Sequence, residues 1–125
     1  MTHSKPNAIV TALCVAAAFA LLSSPAVQAQ TQAQMDTQAA RGSAKADVAM
    51  NAAYKKLMTV LNASQRARLR RTQRAWLIYR DGEAALSASP GEGGTMYPTL
   101  YSNALEGLTE DRTRELKNDY KLVTL

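Results

Sequence analysis

The sequence is short of the residues that small exported or catalytic domains usually depend on. In 125 residues there is one cysteine, one histidine, one tryptophan and one phenylalanine. Cys14 and His3 both fall in what reads as a leader. Lys5 precedes an apolar run from Ala8 to Leu22, and Val27-Gln28-Ala29 supplies the small residues that a signal peptidase accepts. The run is too short to read as a membrane span. Cleavage before Gln30 is expected, dividing the chain into a signal peptide, residues 1–29, and one domain, residues 30–125. An uncleaved N-terminal anchor is the alternative. Cys14 follows Leu13 inside the apolar run, where lipid attachment wants a small residue, so it is expected to leave with the leader.

The exported part then has neither thiol nor imidazole. A secreted domain of this size often relies on disulfides, and this one must be held by packing alone. Cys-His nucleophiles, Ser-His-Asp triads, histidine-bearing zinc sites and thiol redox chemistry lack their parts. No catalytic residue, cofactor or metal is therefore expected. The formal net charge of +5, one unit lower without Lys5, permits weak affinity for anionic surfaces without requiring it. Nothing marks a nucleic-acid protein or, after cleavage, a stable membrane span. Nothing in the sequence states an oligomeric state.

What is present is helical periodicity. Met35, Ala39, Ala46, Met50, Ala53, Tyr54, Leu57 and Leu61 recur at spacings of three and four, predicting a first helix over residues 34–61 behind a frayed Gln/Thr/Ala leader, residues 30–37. Gly42 and Ser43 are weak points in it. Asn62 suits a helix end, and Ser64 the N-cap of a second helix over residues 65–87 that turns Leu69, Trp76, Leu77 and Ala84 inward. "SASPGEGG", residues 87–94, is the clearest loop. Thr95 is a cap for a third helix through Leu100, Tyr101, Leu105 and Leu108, ending near Lys121; Gly107 and Thr109 leave open one bent rod or two short ones. No stretch alternates like a strand. The fold class expected is all-α, a small antiparallel bundle of three to four helices.

The polar residues of the second helix separate when it is wound at 3.6 residues per turn. With Leu69 at zero, Trp76 falls near about 340°, Arg80 near about 20° and Gln73 near about 40°, whereas Arg70, Arg74 and Arg71 fall between about 100° and 200°. The outer arginines, with Arg66 and Arg68, read as a solvated face or a contact for an acidic partner. An RNA-binding helix would look similar, but an exported protein seldom meets RNA. Arg80 lies one turn beyond Trp76 on the inward face, where a guanidinium must find a carboxylate, carbonyls or the indole ring. Arg112 repeats the pattern on the stripe of Tyr101, Leu105, Leu108 and Leu116, and Asp47 and Asn51 flank the stripe of the first helix. Asp47, Asn51, Gln73, Trp76, Arg80 and Arg112 thus form a candidate inward polar network. It serves either as an internal fastener setting helix register or as a recessed ligand site.

Four segments in order, "MNAAY" (50–54), "QRAWLIYRD" (73–81), "GGTM" (93–96) and "LTEDRTREL" (108–116), resemble the successive motifs of the LprI-like lysozyme inhibitor domain family. The resemblance covers nearly all of residues 30–125. It implies a small all-helical exported envelope protein and attaches lysozyme inhibition as the activity. Family members carry cysteines where this chain has Gln38, Ala84 and Ala104; Ala84 and Ala104 look like a helix-to-helix bridge lost as a pair.

The expected function is accordingly that of an exported envelope binding protein that inhibits a lysozyme or related muramidase and is not an enzyme. Its candidate contact surface is the glycine loop with the adjoining end of helix three: Glu92, Thr95, Glu106, Glu110 and Asp111. The carboxylates around Gly107 also suit a helix start. Lysozymes are generally basic, so a basic domain meets one against long-range repulsion and needs a local acidic contact. The alternative is a structural or adaptor module binding anionic cell-wall polymer or an envelope protein. A glycan-cleaving enzyme needs two carboxylates flanking the bond, and Asp47 is the one inward acid.

Overall fold

The computed structural model describes residues 25–125, so the apolar run read as a signal peptide lies outside the described residues up to Ser24. The chain divides into two units, Met1–Ala33 and Gln34–Leu125. Three α-helices make up almost all of the described chain: α1 (Pro25–Val60), α2 (Ala63–Ala88) and α3 (Tyr97–Val123), with a 3-10 turn at Ser89–Gly91. No strand occurs among the described residues.

Helix α1 begins well before residue 34. The Gln/Thr/Ala segment expected to fray is helical, because proline is tolerated in a first turn and Ala and Gln are good helix formers. Between α1 and α2 the cap is Asn62, not Ser64. The Asn62 side chain accepts from the Gln65 amide and the Gln65 side chain accepts from the Asn62 amide, both at 2.9 Å. Arg66 is not part of the solvated set: its guanidinium donates to the Leu61 carbonyl at 2.7 Å, satisfying an acceptor left free at the end of α1. Helix α3 is a single rod. Its N-cap is Met96 with no side-chain cap, Pro98 supplies the first-turn restraint, and neither Gly107 nor Thr109 interrupts it.

The helices run up, down and up. Asp47 bonds Arg80 and Met50 bonds Gln73, so α1 and α2 are antiparallel. Gln73 bonds Arg112 and Arg80 approaches Thr109, so α2 and α3 are antiparallel too. Asp36 meets Thr99 and Gly42 meets Glu106, so α1 and α3 are parallel.

One end of the bundle is apolar: Met50, Ala53, Leu57 and Leu61 pack with Leu69 and the fully buried Leu116, flanked by Tyr54, Trp76, Leu77 and Tyr120. Each buried Leu or Met contributes on the order of 1.5–3 kcal/mol. Toward the other end the buried residues are small, Ala39, Ala46, Ala84 and Ala88, and bring the helices close without filling volume. Met35 does not join the stripe and stays exposed.

Candidate functional site

Between the apolar end and the alanine end lies a polar layer. Arg80 projects from α2 with its side chain only 12% exposed and donates to Asp47 Oδ1 of α1 at 2.8 Å. The same guanidinium holds Asp81 at 2.8 Å and reaches the Thr109 hydroxyl at 3.5 Å. Arg112 of α3, 9% exposed, donates through Nε to Gln73 Oε1 at 3.0 Å and through its terminal nitrogen to Glu115 at 2.7 Å. Gln73 in turn points its amide nitrogen at Met50 Sδ, 3.3 Å away. Both cations approach the Trp76 ring, Arg80 5.5 Å and Arg112 5.9 Å from its centroid. Every buried side-chain nitrogen and oxygen among the described residues has a hydrogen-bond partner.

Five of the six inward polar residues therefore meet: Asp47, Gln73, Trp76, Arg80 and Arg112. Asn51 does not; it is exposed on α1, one residue off the Met50 stripe, while Gln73 turns to Met50 instead. Arg70, Arg71 and Arg74 are exposed on the outer side of α2. Residues that periodicity did not single out complete the layer. Thr109 is almost fully buried, and its carbonyl accepts from the Thr113 hydroxyl at 2.8 Å. Thr99 donates to Asp36 nearer the loop end. Thr109 lies one turn from Leu105 and Arg112 of the α3 stripe, which was the available signal; Thr99 is off that spacing.

The five residues expected at a partner surface are split. Glu92 and Thr95 are exposed in the connection between α2 and α3. Glu106, Glu110 and Asp111 stand in the middle of α3, not at a helix start, roughly 14 Å or more along the axis from its first turn. Glu106 and Glu110 share a cleft with Lys45 and Lys117, and Asp111 pairs with Arg114. A Cβ at Gly42 would meet the carboxylate end of the Glu106 side chain, so the glycine leaves room for that carboxylate against α1.

The α2–α3 connection is not a slack loop. Three backbone bonds succeed one another, Glu92 N to Ser89 O at 3.0 Å, Gly94 N to Gly91 O at 2.9 Å and Tyr97 N to Gly94 O at 3.4 Å. A Cβ on Gly91 would lie 2.8 Å from Leu100 Cδ1 and 3.2 Å from the Tyr97 nitrogen, and Gly93 has φ +74°. Behind it Tyr97 and Tyr101 stack with centroids 6.0 Å apart at 13°.

These features define a class: a small three-helix bundle fastened by a partly buried arginine-tryptophan layer, with an ordered turn segment at one end. Residues 23–116 match the family described as lysozyme inhibitor LprI, and the chain belongs to that family. An uncharacterized protein of Rhizobium meliloti (strain 1021) is 34% identical over 58% of this chain and 61% of its own length, so this chain spans about three fifths of that relative. No solved structure matches. Of the positions where the family resemblance places cysteines, Gln38 is exposed, Ala84 fully buried and Ala104 half-buried.

Proposed function

We propose that this protein is exported through a cleaved leader and acts in the cell envelope as a binding protein that inhibits a lysozyme-type muramidase, without catalysing a reaction itself. The observation that carries this is membership of the lysozyme inhibitor LprI family over residues 23–116. The contact surface is the turn segment with the start of α3, where Glu92, Thr95 and Met96 are exposed and the Tyr97–Tyr101 pair backs them. A segment already closed by its own hydrogen bonds loses little freedom on binding, and Met and Tyr suit the centre of an interface. Glu92 supplies the local negative charge that a basic enzyme needs against the net +4 left once Lys5 leaves with the leader. Purified protein titrated against several lysozymes in a cell-wall lysis assay should inhibit at least one, and Glu92→Lys should weaken that inhibition. No inhibition and no complex with any of them would remove the reading.

A second use, as an adaptor on anionic cell-wall polymer, is favoured by one observation. Arg70, Arg71 and Arg74 are exposed, and no ion pair holds them among the described residues. Reversing all three to Glu should then release the protein from cell-wall material; unchanged retention would dismiss this use.

A further inference from the structure

The end of the bundle away from the turn segment carries a separate arrangement. Because α1 and α3 are parallel, the last turns of both lie at this end. Between them is a cleft of about 530 Å³, within the size range of small-molecule sites. Its floor is Ala49, Ala52 and Ala53 of α1 with the Tyr120 ring of α3, and its rim is Lys56, Lys117 and Lys121. No carboxylate lines it. Lys56 Nζ stands 4.5 Å from the Tyr120 centroid, and none of the three lysines forms an ion pair among the described residues. The negative end of α3 accounts for Lys121, which is in its last turn, but not for Lys117 or Lys56. One turn beyond Lys56 on the same face of α1, Val60 is 39% exposed, whereas the exposed Leu122 and Val123 line a separate groove with Asp119 and Arg68.

We propose that this end of the molecule docks on anionic phospholipid at a membrane surface. Phosphate headgroups sit among Lys56, Lys117 and Lys121, the adjoining apolar part of the lipid lies on the alanine floor and Tyr120, and Val60 enters the interfacial region. Lysine is a point-charge partner for phosphate, and lysines clustered beside an apolar surface hold a protein on an anionic membrane. An acidic helix from a protein partner fits less well. The alanine floor, from Ala49 to Ala53, is only just over one helical turn long, too short to seat a helix of several turns. The docking end is opposite the turn segment, so a molecule held this way leaves that segment facing away from the membrane; the proposal does not depend on lysozyme inhibition.

The test is co-sedimentation of the purified protein with vesicles of phosphatidylglycerol in phosphatidylcholine, with pure phosphatidylcholine vesicles and inorganic phosphate as the other arms. Binding is expected to the anionic vesicles alone and to fall with added salt. K117Q/K121Q should weaken it about thirtyfold, from roughly 1 kcal/mol per lysine. Val60→Ser, which removes no charge, should weaken it about fourfold. R70Q/R71Q/R74Q removes more charge from another face and should leave affinity within about twofold, since the attraction fades within a Debye length. Absent binding to the anionic vesicles overturns the proposal. So does equal weakening by the lysine and arginine variants, which would mean net charge alone. Tight binding of inorganic phosphate, or of an acidic peptide in preference to the vesicles, would likewise assign the cleft to another ligand.

Discussion

Arg112 and Gln73 provide the sharpest test of the polar layer, because their bond joins α3 to α2 and both side chains are buried. Arg112→Ala leaves the Gln73 carbonyl oxygen without its donor, a cost of about 1–3 kcal/mol for a buried acceptor. It also removes the cation beside the indole, about 0.5–1 kcal/mol, and the aliphatic stem, about 1 kcal/mol of packing. The ion pair with Glu115 adds little, since that carboxylate is 59% exposed. The total is about 3 kcal/mol, which for a domain of this size lowers the melting temperature by roughly 15 °C. Trp76 is the single tryptophan and lies beside the substituted group, so urea unfolding followed by its fluorescence reports on the layer itself. Gln73→Ala and the double variant close a thermodynamic cycle whose coupling should be about 1.5 kcal/mol, the range for a hydrogen bond to a charged group. A loss below about 1 kcal/mol for Arg112→Ala, or single losses that simply add in the double variant, would show that the bond does not fasten the helices.

Three further outcomes are expected. Arg80→Ala should destabilise the fold by about 2 kcal/mol, tempered because Asp47 and Asp81 are about half exposed and regain water. Arg74→Ala should change stability little, and equal melting temperatures for these two variants would refute the inward placement of Arg80. Asn62→Ala breaks the reciprocal cap with Gln65 and should cost about 1 kcal/mol in chemical denaturation; no change would mean that the α1–α2 turn is set by Arg66 instead. Ala84 and Ala104 lie at matching levels of α2 and α3 in the register set by Arg80–Thr109 and Gln73–Arg112. A84C/A104C should therefore oxidise readily and stabilise by about 3 kcal/mol, and failure to form the bond on oxidation would show that the two helix faces are turned apart there.

Much of this was legible in the sequence, for a physical reason: the period of a helix fixes which side chains share a face. Ala39, Ala46, Met50, Ala53, Leu57 and Leu61 declare the buried stripe of α1, and winding α2 separates Arg80 from Arg70, Arg71 and Arg74. Partners were less legible, because they depend on the level at which helices face one another. Asn51 and Met35 border the α1 stripe, yet Met35 stays exposed and Gln73 takes up Met50 rather than Asn51. Local signals misled where two residues competed for one role. Ser64 is as good a capping residue as Asn62, but only Asn62 has a glutamine three positions on to return the bond. Gly107 suggested a break that tertiary packing overrode, so three carboxylates that looked like a helix start lie along the flank of a continuous rod.

The most direct measurement of the central claim is a calorimetric titration of the purified protein into lysozymes of different classes, paired with the lysis assay. A saturable one-to-one complex with at least one of them, weakened by Glu92→Lys and by Gly91→Ala but not by K117Q/K121Q, is the predicted result. No heat of binding with any lysozyme, or a complex that is indifferent to Glu92 and Gly91, would contradict it.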